Sequence, residues 1–251
     1  MTIKPDETLP GALKGERMNL LRKLKTTIAV QKLSPMARSV RKERLTYLSP
    51  EKMLRLEQGL REVRGIAGDF LEFGVALGGS SIVIATAAKA QARLFAGYDV
   101  FATIPPPTSD KDDDKARQRY AVISEGKSKG LGGDQYYGYH SDLYGEVTRS
   151  FQVHGLPVDG DKIRLVKGLF EETWPDQGSD KIAFVHLDCD WYEPVRYCLD
   201  AVADRLSPGG IIMLDDYHDY GGCRTATEEF RAKRQDFRFE DAQNPALRKL
   251  H

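Results

Sequence analysis

Two apolar runs of this chain end in acids. In FVHLDCDWYEP, Phe184–Leu187 leads into Asp188, Cys189 and Asp190; in GGIIMLDD, Ile211–Leu214 leads into Asp215 and Asp216. Side chains alternate along a β-strand, so Asp188 and Asp190 are expected on one side and Cys189 on the other. If the two runs are neighbouring strands, about 5 Å apart, the four carboxylates converge at one mouth. Like charges that close raise one another's pKa and cost stability unless a cation joins them. An oxygen-only set without His or Cys favours a hard ion, Mg²⁺ over Zn²⁺. Such an ion keeps positions open for substrate oxygens and lowers the pKa of a bound hydroxyl. A single strand-end acid is ordinarily a helix cap or half of a salt bridge; four together are not explained that way. Glu193, just before Pro194, reads as a first-turn helix residue. His186 reads as a core histidine, and His218 as either a base or a neutral surface group.

These acids need a scaffold. From Gly68 onward, strand-like runs alternate with helical patterns. GDFLEFGV, RLFAGYDVF, KIRLVKGLF, KIAFVHLD and GGIIMLDD read as five strands, and DFRFE as a late one. GGSSIVIATAAKAQA and GCRTATEEFRAKR read as helices. In YEPVRYCLDAVADRL, Val195, Cys198, Leu199, Val202 and Leu206 form one apolar stripe behind Pro194. The alternation predicts an α/β fold with a mostly parallel sheet covered on both faces. Residues 1–65 are charged and helical in pattern, an N-terminal helical extension ahead of the main domain at 66–251. Within it, Ser49 is the expected N-cap and Pro50 the first residue of a helix carrying Met53, Leu54, Leu56, Leu60 and Val63.

In open α/β sheets, ligands bind outside the C-terminal strand ends, so the turn after the first strand comes next. It reads Glu72-Phe73-Gly74-Val75-Ala76-Leu77-Gly78-Gly79-Ser80-Ser81. This is Gly-x-x-x-Gly-Gly, not the Gly-x-Gly-x-x-Gly of dinucleotide sites. Glu72 suits an amine-bearing ligand end better than a pyrophosphate. Ser80 and Ser81 can cap the next helix or donate to a ligand carboxylate. Asp99, ending the second strand, is placed to accept from ribose hydroxyls. Amine, carboxylate and ribose together describe S-adenosylmethionine; ordinary tight-turn glycines are the plainer reading.

Acids and bases balance at 37 each, so a duplex-DNA binder, which shows a basic excess, is not expected. The absence of an 18-residue apolar stretch argues against a membrane span. MTIKPDETLPG lacks the apolar core of a signal peptide. Cys189, Cys198 and Cys223, without CxxC spacing, read as reduced thiols of a cytoplasmic protein. Residues 104–145 exceed the usual length of a connection in such a fold. Their aromatics (Tyr136, Tyr137, Tyr139, Tyr144) argue against disorder, and a lid over the site or a plain surface insertion would both fit.

The stretches GDFLEFGVALGGSS, LVKGLFEETWP, HLDCDWYEP and LSPGGIIMLDDYHDYGGCRTATEEFR resemble the macrocin O-methyltransferase family over about residues 50–235. That resemblance implies a Rossmann-like methyltransferase with a mostly parallel seven-stranded sheet, S-adenosyl-L-methionine and Mg²⁺ as cofactors, and a sugar hydroxyl of a glycosylated small molecule as acceptor. By it, Asp188, Asp215 and Asp216 look like metal ligands and Asp190 like the general base. Glu72, Gly74, Gly78, Ser80, Ser81, Asp99, Gly168 and Phe170 look like cofactor contacts. A homo-oligomer is expected. The chain departs from the family at Phe73–Leu77, at Trp191, in the longer insertion and in the ending PALRKLH. The last three lie toward the acceptor side, so the acceptor is not carried over. A catechol-like aromatic diol would suit the same metal chemistry. A nucleotide-binding dehydrogenase lacks its glycine fingerprint here, and a non-catalytic cofactor-binding module does not need converging acids.

Overall fold

The computed structural model describes residues 26–251. The start of the helical extension and the signal-peptide question lie outside the described residues. Seven strands form one sheet in the order β3-β2-β1-β4-β5-β7-β6. They are β1 (Asp69–Phe73), β2 (Phe95–Asp99), β3 (Ile163–Lys167), β4 (Ile182–Leu187), β5 (Leu206–Leu214), β6 (Phe237–Glu240) and β7 (Ala246–Lys249). The first five pair in parallel, and β7 lies antiparallel between β5 and β6. The order reverses between β1 and β4, which places the ligand crevice at the ends of those strands. β7 was not among the strands read from the residues; it is the tail PALRKLH, whose Ala246 and Leu247 are buried.

Helices cover both faces. On one side lie α1 (Pro35–Lys42), α2 (Pro50–Glu62), α3 (Gly79–Ala90) and α5 (Leu143–Val153), packed on Phe70, Phe95, Phe184 and Met213. On the other lie α6 (Phe170–Gln177), α7 (Tyr192–Ala203) and α8 (Gly221–Lys233), over Leu71, Val185 and Ile212. α4 (Asp114–Ser124) sits in the long segment after β2. The apolar runs are continuous because both faces are buried.

α2 begins where the sequence puts it: the Ser49 Oγ accepts from the Lys52 amide at 3.2 Å, with Pro50 at the first helical position. Its Met53, Leu56, Leu60 and Val63 are buried, while Leu54 is half-exposed. Burying four such side chains contributes on the order of 6–12 kcal/mol of gross transfer free energy. Gly59 lets the helix lie close to the sheet, since a Cβ there would stand 2.8 Å from Met213 Cε. α1 and α2 are thus part of the main core. No helix among the described residues is long and apolar enough to cross a membrane.

Candidate active site

β4 and β5 are hydrogen-bonded neighbours with Leu187 opposite Leu214, so the residues after them emerge side by side. Asp188, Asp215 and Asp216 each present an oxygen within 4.8 Å of the others'. Burial first, then the charges of Asp215 and Asp216, push the Asp188 carboxyl well above its usual range. Burial, Asp190 and Asp215 do the same to Asp216. The cluster offers oxygen ligands alone and its acids outnumber the one lysine bonded to it, which fits a hard divalent cation.

Asp190 reaches the mouth by a different route from the expected alternation. β4 stops at Leu187, and Asp190 takes a left-handed backbone (φ 57°) in the turn beyond it. Its amide donates to Asp216 Oδ2 at 3.0 Å. Burial, then the Asp215 charge, raise its carboxyl to about 6. Cys189 packs toward the α7–α8 core, and all three cysteines are free thiols.

A cavity of about 750 Å³ opens at this mouth. Gly74, Ala76, Asp99 and Phe170 form part of its wall, Asp188, Asp190, Asp215 and Asp216 another part. Gly74 is required: its φ is 96°, and a Cβ would stand 1.8 Å from the Asp188 carbonyl oxygen. The cofactor turn and the first acid are therefore in backbone contact.

Several residues of the turn sit elsewhere than expected. Glu72 is fully buried and does not line the cavity. It lies opposite His186 in the β1–β4 register; its Oε1 meets His186 Nδ1 at 2.7 Å and its Oε2 accepts from Ser81 Oγ. An amine-facing role for its side chain does not fit that position. Neither serine caps α3, whose N-cap is Gly78 in the left-handed region without a side-chain bond. Ser80 is buried outside the cavity wall, as is Gly78. Asp99 turns its carboxylate onto the backbone: Oδ2 accepts from Val75 and Ala76 (2.7 and 3.0 Å), Oδ1 from Phe101 (2.6 Å). It shapes the glycine turn while facing the cavity. Gly168 donates its amide to the Asp99 carbonyl, and Phe170 packs edge-on against Phe73. His186 is a core histidine with one nitrogen unmatched: Nε2 has no hydrogen bond and stands 3.9 Å from Asp215 Oδ1. His218 points to the Ala242 carbonyl and Asp241, and is not part of the cavity wall. Glu193 lies in the first turn of α7 and pairs with Arg196.

The segment 104–145 carries α4, two single 3₁₀ turns and the start of α5, and it lines the cavity with Ile104, Pro105, Arg119, Tyr136 and Tyr137. Its acid run DKDDDK is structural. Asp112 Oδ1 accepts the Tyr192 amide at 2.8 Å, capping α7. Asp113 caps α4 through the Ala116 amide (2.9 Å) and binds the Gly221 amide of α8 (2.7 Å). Lys111 joins Tyr192 and Glu229 (2.8 and 2.7 Å). Trp191 is buried; its indole N–H donates to the Pro105 carbonyl at 3.0 Å and its ring meets Tyr220 edge-on. The insertion is therefore fastened to the two helices that follow the acid-bearing strands. Sequence reading did not single out Asp112, Asp113, Lys52 or Asn244. Apart from the Asp113 cap on Ala116, three residues on, their partners lie roughly 30 to 160 residues away, and no local spacing marks those contacts.

The sequence profile of the macrocin-O-methyltransferase (TylF) family matches residues 23–237. An 8-demethyl-8-(2,3-dimethoxy-alpha-L-rhamnosyl)-tetracenomycin-C 4'-O-methyltransferase of Streptomyces olivaceus is 31% identical over 172 residues, 67% of this chain and 60% of that protein. Mycinamicin III 3''-O-methyltransferase of Micromonospora griseorubida is 30% identical over 179 residues, 70% of this chain and 64% of that one. The match thus spans less than two thirds of either relative's length. The structure of the O-methyltransferase NovP resembles this one with a TM-score of 0.69 over 91% of this chain and 99% of the other, at 22% identity. CalS11, a calicheamicin methyltransferase, gives 0.58 over 98% and 99%, at 17%. At those identities the structural likeness establishes the fold alone, and the profile match over most of the chain establishes the rest: the protein belongs to the macrocin O-methyltransferase family.

Proposed function

We propose that the protein transfers a methyl group from S-adenosylmethionine to a sugar hydroxyl of a glycosylated small molecule, with Mg²⁺ as its metal. The observation that carries this reading is the shared cavity. Its wall joins the glycine turn and Asp99 to an acid cluster whose oxygens lie within 4.8 Å of one another. Of the two relatives above, one is named for 4'-O-methylation of a rhamnosyl-tetracenomycin and the other for 3''-O-methylation of mycinamicin III.

The cofactor supplies the methyl group, and the metal when bound makes an acceptor hydroxyl more acidic. Asp188, Asp215 and Asp216 would hold the metal; Gly74, Ala76, Asp99 and Phe170 would receive the cofactor. Asp99 keeps the turn in shape through its three amide bonds. Asp190 would take the hydroxyl proton. Its carboxyl, raised to about 6 by burial, is a better proton acceptor than an ordinary aspartate and is still ionised near neutral pH. The insertion would cover the acceptor, with Trp191 and the Asp112–Asp113 pair fixing it in place. The three free thiols would suit a cytoplasmic enzyme.

A methyl-transfer assay with radiolabelled cofactor, offered rhamnosylated acceptors and a catechol, tests the reading. Labelling of the glycoside, lost on adding EDTA and restored by Mg²⁺, is expected. Asp190→Asn should keep cofactor and metal binding while turnover falls about 10²–10⁴-fold. Full activity in EDTA sinks the metal, and labelling of the catechol alone moves the acceptor to aromatic diols.

A further inference from the structure

The acid cluster already has a cation beside it. Lys52, in the first turn of α2, places its Nζ 2.9 Å from Asp215 Oδ2, 2.9 Å from the Asp215 carbonyl oxygen and 2.8 Å from Asp219 Oδ2. An ammonium has three N–H donors, so all three are spent. Its side chain is only 13% exposed. The helix start is fixed by the Ser49 cap, so the lysine is held by the fold and not merely by its own flexibility.

From the other end of the chain, Asn244 completes the grip. It lies in the turn between β6 and β7, is fully buried, and donates through Nδ2 to Asp215 Oδ1 at 2.8 Å. Asp215 thus has one oxygen on a lysine from the N-terminal segment and the other on an asparagine from the C-terminal hairpin. Asp188 has no such partner among the described residues.

We infer that Lys52 is the resident counter-ion of the acid cluster: it holds Asp215 in the metal-free protein and competes with the divalent cation for that carboxylate. The inference rests on the reading that Asp188, Asp215 and Asp216 hold a metal. A cation arriving beside Asp215 meets the Lys52 charge, so the site binds metal less tightly than three carboxylates alone would. In exchange, Lys52 gives the five nearby carboxylates Asp188, Asp190, Asp215, Asp216 and Asp219 a bonded positive neighbour in the metal-free protein, beside Lys115 and Arg119 of the cavity wall. Asn244 keeps Asp215 oriented while the lysine gives way.

The test measures Mn²⁺ binding, by titration calorimetry and by the Mn²⁺ spin-resonance signal, together with melting temperature in EDTA and in excess Mg²⁺. Lys52→Met is expected to bind Mn²⁺ about tenfold more tightly than wild type, because a like charge a few ångströms away is gone. It should melt below wild type in EDTA and recover the difference in Mg²⁺. Lys52→Arg, which keeps the charge, should bind as wild type does. Should Lys52→Met fail to fold without metal, purification in Mg²⁺ followed by chelation shows the same loss. Weaker or unchanged Mn²⁺ binding by Lys52→Met, with wild type binding normally, overturns the counter-ion role and leaves the metal reading standing. No Mn²⁺ binding by wild type overturns both.

Discussion

Two acidic clusters of this protein stand close together and are built on opposite principles. In the insertion, Asp112 and Asp113 are met by backbone amides: Tyr192, Ala116 and Gly221 donate to them. At the strand ends, Asp188, Asp190, Asp215 and Asp216 crowd one another; among them Asp216 takes one backbone amide, that of Asp190, and Lys52 and Asn244 reach only Asp215. Amides at a helix start offer fixed partial positive charge, so an acid placed there stabilises the fold. Carboxylates facing carboxylates do the reverse until a cation is added. A buried acid's meaning is thus read from what donates to it, not from its burial.

Substitutions should separate the two clusters, and the largest effect belongs to the strand ends. Asp188→Asn is expected to abolish Mg²⁺-dependent methyl transfer, by about three orders of magnitude or more, given the several kcal/mol a metal supplies to a transition state. The same variant should melt no lower than wild type in EDTA, because it removes one member of a repulsive group. A large loss of metal-free stability would show that Asp188 is held by favourable contacts and would erase the contrast.

Metal-free stability should also depend on pH in a direction the strand-end acids set. Three of them have raised folded pKa values: Asp190, to about 6 by burial and by Asp215, and Asp188 and Asp216, well up by burial and their neighbours' charges. A raised acid binds its proton more tightly in the folded state. Its contribution is therefore complete below the unfolded value, near 3.8, and is lost as pH rises through the folded one. In EDTA the protein should be more stable at pH 5 than at pH 8, and Mg²⁺ should remove or invert that slope. Asp236 and Glu240, held near 2 by Arg234 and Arg248, act the other way, but only below about pH 4.5. Chemical denaturation at the two pH values with and without metal decides it; a metal-free protein more stable at pH 8 contradicts the reading.

Asp112→Ala should show the opposite profile from Asp188→Asn. Losing a helix cap costs about 1–2 kcal/mol. The melting temperature should fall with or without metal, while Mn²⁺ affinity stays at the wild-type value. Deleting residues 108–135 would remove Asp112 and Asp113 together with any cover over the site, so point variants are the cleaner probe. Unchanged stability in Asp112→Ala would mean that the cap is decorative.

What the sequence makes legible follows the same division. The alternating runs show the parallel core and α2, and LDCD with LDD show the acid mouth, because those signals are local. The edge strand β7 is hidden: four residues of a charged tail become a strand only once β5 and β6 flank them. The glycine turn shows that a ligand site is there but not which groups face it. Glu72 is drawn inward by His186, its partner across the β1–β4 register, and by Ser81 in the first turn of α3. The run DKDDDK looks like solvated charge until the two helix starts it caps are in place. Lys52 and Asn244 meet at Asp215 from opposite ends of the chain, which no spacing reveals.

The smallest expected effect concerns Trp191, where the two clusters touch. It follows Asp190, and its indole N–H donates to Pro105 at the base of the insertion. Trp191→Phe keeps an aromatic ring against Tyr220 and loses that one bond, worth about 1 kcal/mol. If the insertion covers the acceptor, the loss loosens the cover and not the chemistry. KM for the acceptor should rise about two- to fivefold, with kcat, cofactor affinity and Mn²⁺ affinity near wild type. A fall in kcat at unchanged KM would instead tie Trp191 to the placement of Asp190, whose left-handed turn it directly follows. The steady-state pair thus tells whether the insertion acts on binding or, through its tryptophan anchor, on the acid that takes the proton.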